Sequence, residues 1–311
     1  MLKYIGKRLL ISVLTMLVIL FVLFMLLQLM PGSPFNDEKL SAEQVAQLYA
    51  KYGLDQPVFI QFLRYVGNML KGDLGVSYSL AVNMPITDLI KNRFPVTIKI
   101  GFMSMLAGTI MGLSLGFLTA FFHNRVLNFI YNLLTLIGIA VPSYIFAMFF
   151  SYFLGYQTGV FPLIYDFRSP YFSSIMPVLA LSLSVMAVVG RFSRTEAESV
   201  MKSDYVLFAK CQGLSNSTII LKYVMKNSLI PVVTVMAGLL VGLLTGSMVI
   251  EQMFSIPGVG ELLTNAITAN DYNVVLALSF IYSALYIVVM LLLDILYCVI
   301  DPRVRLGGGP E

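Results

Sequence analysis

The chain has 311 residues and a formal net charge of +4, and 58% of its residues are apolar while only 12% are charged. Soluble domains average about 45–50% apolar and about 25% charged residues, so this composition excludes an ordinary soluble domain. The charge excess is too small to indicate nucleic-acid binding. The apolar residues fall in long uninterrupted blocks, which predicts an all-α polytopic membrane protein.

The first apolar block, residues 9–30, follows Lys3, Lys7 and Arg8. A secretory signal peptide has a shorter apolar region of about 7–15 residues and a small-residue cleavage site. This block instead runs into Pro31, and it therefore predicts an uncleaved first transmembrane helix. Five later blocks are also long enough to cross a bilayer at about 1.5 Å per residue, namely residues 96–122, 126–154, 173–190, 229–250 and 274–300.

Basic residues concentrate at the N-terminus, between residues 191 and 226 and near the C-terminus, whereas the two short outward connections hold only Arg168. Cytosolic loops of membrane proteins carry the excess of Lys and Arg, so both termini are predicted to be cytosolic. Three domains are predicted. Residues 1–30 contain the N-terminal cytosolic flank and the first helix, and residues 31–95 form an extracytoplasmic helical insertion. Residues 96–311 form a five-helix core with a cytosolic loop at 191–228.

The insertion has sequence signals for two helices. Ser41 and Gln44 form a capping box for the first helix, and Gly53 ends it. The second helix begins near Pro57 and ends before Gly72. Its apolar residues at helical spacing are Phe59, Phe62, Leu63, Val66 and Leu70. Two partner surfaces are open for this stripe, the outer ends of the transmembrane helices or an external ligand carrier.

The cytosolic loop has the pattern of a helix, a break and a second helix. Ser203 is positioned to cap a helix over residues 204–212, and Gly213 ends it. Ser215 is positioned to cap a second helix that runs towards Asn227. The sequence therefore predicts two short helices beneath the membrane.

One face of the first cytosolic helix is predicted to be apolar. Tyr205, Phe208 and Ala209 share it at i, i+3 and i+4, while Asp204 and Lys210 remain in water. From the periodicity alone, this face fits either a groove on another protein or the underside of the chain's own helices.

Sequence motifs for chemistry at a site are missing. The chain has no GxxxxGK[ST] phosphate loop, a single histidine, His123, and two cysteines, Cys211 and Cys298, without the spacing of a zinc site. We therefore expect no catalytic residue, no metal site and no cofactor on this chain.

Two other groups of residues are candidates for roles in the membrane. Pro257, Gly258 and Gly260 predict a broken, outward-side turn or re-entrant piece that forms part of an outer gate. Lys99 and Asp294 are ionisable residues inside apolar spans, where charges are functional candidates by default. Both lie near span ends, where a structural role, by snorkelling or by pairing with a helix end, is the alternative.

Residues 204–231, DYVLFAKCQGLSNSTIILKYVMKNSLIP, resemble the coupling-loop motif of ABC importer permeases of the oligopeptide, dipeptide and nickel family. The matching anchors are Ala209, Gly213, Asn227, Ile230 and Pro231, whereas Leu207 and Phe208 replace the first two residues of the general Glu-Ala-Ala motif. Similar stretches are YGLDQP at 52–57, GDLGVSY at 72–78, EQMFSIPGVG at 251–260 and DILYCVIDPR at 294–303. The chain is most similar to the oligopeptide permease B subunits of Gram-positive bacteria.

The resemblance implies a six-helix ABC importer (type I) permease fold in the bacterial cell membrane, with oligopeptides as cargo. It implies a second homologous permease subunit, two nucleotide-binding ATPase subunits that bind ATP and Mg, and an extracytoplasmic peptide-binding lipoprotein. The residues that would contact an ATPase subunit are Asp204, Tyr205, Phe208, Ala209, Gly213 and Leu214. Dipeptides or nickel chelates are alternative cargoes, and an ion-coupled secondary transporter is the rival class, although the chain shows no matching halves.

Overall fold

The computed structural model describes residues 2–29, 42–122 and 124–300, with side chains over 6–29, 43–122 and 124–293. Within these ranges the fold is helical, and the only β contact is an isolated bridge between Val76 and Pro85. The helices are α1 (Leu2–Leu29), α2 (Ala42–Tyr52), α3 (Val58–Leu70), α4 (Ile86–Phe121), α5 (Arg125–Ala140), α6 (Ser143–Phe150), α7 (Ile175–Met201), α8 (Asp204–Cys211), α9 (Asn216–Thr218), α10 (Lys226–Leu244), α11 (Met248–Met253), α12 (Val259–Thr268) and α13 (Tyr272–Ile300). Two π-helical segments, Ser151–Gln157 and Ile219–Met225, follow α6 and α9.

The chain packs as two compact units. We call Met1–Pro95 with Pro257–Glu311 the insertion unit and Val96–Ile256 the core unit. The last long helix thus packs in the same unit as the first. The three domains expected from the sequence were defined by the side of the membrane on which each lies. They stay a prediction.

In the insertion unit, both predicted insertion helices are confirmed as α2 and α3. Gly53 and Gly72 follow their ends with φ of 68° and 84°, the left-handed conformation that glycine adopts at little cost. Ser41, the predicted cap, lies outside the described residues. The apolar stripe of α3 is divided, because Phe62 is buried against α1 whereas Phe59 is 60% exposed.

The second predicted span begins earlier than expected. It was expected to start after Pro95, but α4 starts at Ile86 and contains Pro95 in its interior. Proline lacks the N–H that a helix interior uses, which usually ends a helix. Here the helix continues through the proline into a long apolar segment.

The third predicted span is not one helix. The α5 helix and the α6 segment with its π-helical extension are bent by 106° at the break between Ala140 and Ser143. Val141 is extended, with φ −93° and ψ 123°, as expected for a residue before a proline, here Pro142. A single continuous helix over 126–154 is therefore wrong, and the predicted third span corresponds to this broken helix pair.

The fourth and fifth predicted spans have different ends. The fourth continues to Met201 instead of ending at Gly190. The fifth forms one apolar helical run from Asn216 to Leu244, so the predicted second short cytosolic helix is the start of this run. It ends before Gly246, whose φ is 83°, and not at Ile250.

Among the residues that the structure describes, five helices are long and apolar enough to cross a membrane, and six if the bent pair counts as one span. The predicted all-α polytopic class is confirmed on this count. The fit to a six-span arrangement requires the broken pair to cross as a unit.

Close helix packing occurs at three glycines of α4. A Cβ at Gly108, Gly112 or Gly116 of α4 would lie within 2.9 Å of α7 backbone atoms. In contrast, a Cβ at Gly238 or Gly242 of α10 would have no atom of this chain within 4 Å. Spacing of small residues permits close approach on both helices, but only α4 has a neighbour there.

Candidate functional site

The α8 helix begins differently from the sequence prediction. The Ser203 hydroxyl donates to the Val200 carbonyl oxygen at 2.6 Å instead of accepting from the first turn of α8, so the predicted side-chain cap is wrong. The Ser203 backbone carbonyl accepts from the Val206 N–H at 3.1 Å and starts the helix. The second predicted cap is confirmed, because the Thr218 N–H donates to the Ser215 hydroxyl oxygen at 3.3 Å.

The end of α8 is closed by two backbone hydrogen bonds around Gly213. The Gly213 N–H donates to the Lys210 carbonyl at 3.0 Å, and the Leu214 N–H donates to the Ala209 carbonyl at 3.3 Å. This pair of bonds is the Schellman arrangement, which needs a left-handed residue at the glycine position. Gly213 has φ 76°, so the predicted helix end is confirmed.

The two sides of α8 have different environments. Val206 and Ala209 are buried among residues of α4, α7 and the second π-helical segment, including Phe117, Ala197 and Val224. In contrast, Tyr205, Leu207 and Phe208 are 43%, 61% and 64% exposed. We call these three side chains the α8 surface.

The predicted apolar face of α8 is therefore partly wrong. Ala209 belongs to the buried side, because its small side chain fits where α8 approaches α4 and α7. Tyr205 and Phe208 are exposed, so they do not pack under the chain's own helices, and Leu207 joins them. Asp204 and Lys210 are exposed, in agreement with their predicted contact with water.

The predicted gate residues lie at the connection between α11 and α12. In the core unit, Phe254 and Ile256 are fully buried after α11, and Ser255 between them has φ 50°. In the insertion unit, Gly258 precedes α12 in an extended conformation, and Gly260 is buried in its first turn. The predicted helix break is present, whereas a gating role stays a prediction.

Of the two intramembrane charge candidates, Lys99 and Asp294, the structure describes the side chain of Lys99 only. The Lys99 ammonium nitrogen lies 3.4 Å from the centroid of the Tyr171 ring, a cation–π contact in the core unit. Asp294 lies on α13, but its side chain is outside the described residues. A nearby acid in the core unit, Glu251, is 3% exposed and accepts from the Thr97 hydroxyl at 2.9 Å.

A buried carboxylate in the insertion unit was not selected from the sequence. Asp271 is fully buried, and its Oδ2 accepts from the Ser77 hydroxyl and from the backbone N–H groups of Tyr78, Ser79 and Leu80 at 3.0–3.1 Å. Its second oxygen faces the Val274 N–H in the first turn of α13 at 3.5 Å. We call this set of contacts the Asp271 junction.

Neighbouring contacts strengthen the Asp271 junction. The Asn273 amide donates to the Val76 carbonyl at 2.8 Å, and the Ser79 hydroxyl donates to the Ala269 carbonyl. Burial, followed by the charge of Asp271, raises the pKa of Tyr78 to about 12. The only sequence signal for this site was the GDLGVSY stretch at 72–78, because its partners lie more than 190 positions away.

The insertion unit also contains a cavity of about 350 Å³ between α1, α3 and α13. Tyr65 lines it, and its buried hydroxyl has no hydrogen-bond partner among the described residues. Burial raises the pKa of that hydroxyl. No group of three or more His, Cys, Asp or Glu residues that could hold a metal occurs within the described part of the chain.

Two family descriptions match successive parts of the chain. The N-terminal component of binding-protein-dependent transport system membrane proteins matches residues 1–101. The description "Binding-protein-dependent transport system inner membrane component" matches residues 112–306. The chain belongs to this family. It is therefore a multi-pass transport permease, as the resemblance of its motifs implied.

Full-length relatives of the permease include peptide transport proteins. The dipeptide transport system permease protein DppB of Lactococcus lactis subsp. cremoris is 39% identical over 98% of this chain and 100% of the relative. The oligopeptide transport system permease protein OppB of Haemophilus influenzae is 35% identical over the same shares. DppB of Bacillus subtilis is 34% identical over 98% of this chain and 99% of the relative.

The fold is also similar to that of a solved ABC transporter. A crystal structure of an amino acid ABC transporter with histidines matches with a TM-score of 0.53 and 15% sequence identity. The match covers 70% of this permease and 95% of the solved chain. At this identity, it supports the fold alone.

Proposed function

We propose that this permease is the membrane-spanning subunit of an ATP-driven importer of oligopeptides, which an extracytoplasmic binding lipoprotein delivers. Family membership and the peptide transport functions of the full-length relatives support this proposal. Dipeptides are the second candidate cargo, because the relatives at 39% and 34% identity are dipeptide permeases. The chain would lie in the bacterial cell membrane with both termini in the cytosol.

The observation that carries the coupling mechanism is the α8 surface. A short helix that is anchored on one side by Val206 and Ala209 exposes two aromatic side chains and a leucine on the other. Aromatic side chains are enriched among the residues that dominate protein interfaces. We assign Tyr205 and Phe208 to a cleft on an ATPase subunit, with Asp204, Gly213 and Leu214 shaping the ends of the contact.

In this mechanism, movement of the ATPase subunits is transmitted through α8 to the core unit. The buried side of α8 belongs to the same apolar cluster as Phe117 of α4 and Ala197 of α7, so displacement of α8 would act on both helices through this cluster. Two ATPase subunits would bind ATP and Mg, and a second homologous permease subunit would complete the path. The connection at Pro257, Gly258 and Gly260 would then open as part of the outer gate.

The central experiment is a Phe208→Ala substitution in the transporter reconstituted with its ATPase subunits, second permease and binding protein. We expect affinity for the ATPase subunit to fall by at least about tenfold, because aromatic anchors at interfaces contribute about 2 kcal/mol. Peptide uptake should fall with it, while thermal stability of the permease is unchanged. Binding is measured by titration of the ATPase subunit, and uptake with labelled peptide.

The matched control is Phe167→Ala, which removes another exposed phenylalanine side chain, 74% exposed, outside residues 204–231. Wild-type ATPase binding and uptake in Phe208→Ala would contradict the assigned role. Uptake competition between dipeptides and longer peptides, with the cognate binding protein present, then separates the two cargoes.

A further inference from the structure

The α3 helix has an apolar edge that its own chain does not cover. Phe59, Leu63 and Leu70 are 60%, 54% and 80% exposed, and Val66 between them is half-buried. These positions are separated by four, three and four residues, so they form one line along the helix. The buried side of α3, with Phe62 and Met69, is about a quarter turn away. Packing against α1 therefore leaves a second apolar edge unexplained.

The opposite edge of α3 is polar. Gln61, Arg64 and Asn68 occupy it at i, i+3 and i+7, and the Arg64 guanidinium donates to the Gln56 side-chain oxygen at 2.9 Å. A helix with aromatic and leucine residues on one edge and a basic residue on the other is typical of helices that lie in a membrane interface.

The contacts of α3 with α1 fix its depth. The Phe62 ring lies 5.1 Å from the Phe21 ring and 5.8 Å from the Phe24 ring, and Phe59 lies 6.4 Å from Phe21. The polar edge reaches the end of α1, because Gln28 donates to Gln61 at 3.0 Å. The apolar edge of α3 therefore lies beside residues of α1 that are farther from Leu29 than those beside the polar edge.

The depth of Phe21 follows from the length of α1. The apolar span Gly6–Leu29 has 24 residues, which at about 1.5 Å per residue is about 36 Å, against about 30 Å of hydrocarbon. Phe21 lies eight residues before Leu29, or about 12 Å below it, so it is inside the hydrocarbon even if all the excess length lies at that end. The outer half of α1 has its own exposed apolar surface, formed by Val22, Met25, Leu26 and Leu29.

We propose that α3 lies in the membrane interface at the Leu29 end of α1, with Phe59, Leu63, Val66 and Leu70 in contact with phospholipid acyl chains. The lipid contact is continuous with the exposed surface of α1, and Arg64 faces the headgroups and water. The insertion is then anchored to the bilayer along a helix that does not cross it. This inference requires a membrane protein, which the family establishes, and is independent of cargo and of ATPase coupling.

The absence of tryptophan from the chain makes the proposal testable by fluorescence. Leu63→Trp introduces a reporter on the apolar edge, and Asn68→Trp introduces the matched reporter on the polar edge. Each full-length variant is reconstituted in vesicles of ordinary or acyl-chain-brominated phosphatidylcholine, alone and in the assembled transporter. In the assembled transporter, the fluorescence of the assembly with the unsubstituted permease is subtracted. The remaining signal comes from the introduced tryptophan.

We expect brominated lipid to quench Leu63→Trp several-fold more than Asn68→Trp, alone and in the assembly. Equal, weak quenching of both reporters would overturn the proposal. Quenching of Leu63→Trp that disappears when the second permease subunit or the binding protein is added would also overturn it, and would assign the edge to that protein. Tryptophan conserves the apolar character of position 63, and size-exclusion chromatography verifies that both variants fold.

Discussion

At the Asp271 junction, one buried carboxylate accepts hydrogen bonds from Ser77 and three consecutive backbone N–H groups. The α8 helix is instead held by small apolar side chains, Val206 and Ala209, and its other side is exposed. Directional bonds to a buried charge define one geometry and are costly to break. Apolar contacts permit small displacements at lower cost. The junction in the insertion unit is thus the more rigidly defined of the two, and the apolar attachment of α8 in the core unit is of the kind that the proposed coupling movement requires.

Asp271→Ala tests how strongly the Asp271 junction stabilises the insertion unit. We expect the free energy of unfolding to fall by about 3 kcal/mol, because the buried Ser77 hydroxyl and three part-buried N–H groups lose their acceptor, and a fully buried donor without an acceptor costs about 1–3 kcal/mol. Asp73→Ala is the control, since the exposed Asp73 carboxylate accepts one N–H, from Gly75, at 2.8 Å. Heating followed by size-exclusion chromatography measures both. Equal losses would contradict a special role for the junction.

A smaller effect is expected from Ala209→Leu, which tests the buried side of α8. Overpacking a filled site costs about 1–3 kcal/mol, and Ala209 is only 2% exposed. Lys210→Leu places the same side chain at the next, exposed position, where about 0.5 kcal/mol or less is expected. The same heating assay compares them. A larger loss for Lys210→Leu would reverse the assignment of the two faces.

The smallest effect on stability is expected at Gly213. A Cβ there meets no atom within 4 Å, so the main cost comes from the left-handed backbone, about 1–2 kcal/mol for most residues and less for Asn. We expect Gly213→Ile to reduce peptide transported per ATP hydrolysed, and Gly213→Asn to retain most of it. Normal peptide uptake by Gly213→Ile would refute a coupling role for this turn.

Local signals in the sequence predicted local structure well. Gly53, Gly72 and Gly213 end the helices that they were expected to end, since a left-handed residue acts within one turn. Periodicity placed Tyr205, Phe208 and Ala209 together, but it could not show which edge meets α4 and α7. That information lies in the neighbouring helices.

Hydropathy was less informative about helix ends and breaks. The apolar character of residues 126–154 continues through Pro142, so the block hides a bend of 106°. Pro95 had the opposite effect: it was expected to precede the helix, but α4 continues through it. The Asp271 junction was out of reach of any local rule, since an acid near a helix start gives no sign of partners almost 200 positions away.

The glycines of α4 have a consequence for how force travels in the core unit. At Gly108, Gly112 and Gly116 the α4 backbone rests on α7 without an intervening layer of side chains. Side-chain layers absorb small shifts through rotamer changes, and this seam has little such compliance. A displacement of α7 near α8 is therefore transmitted directly to α4, and the two helices move together as one rigid pair.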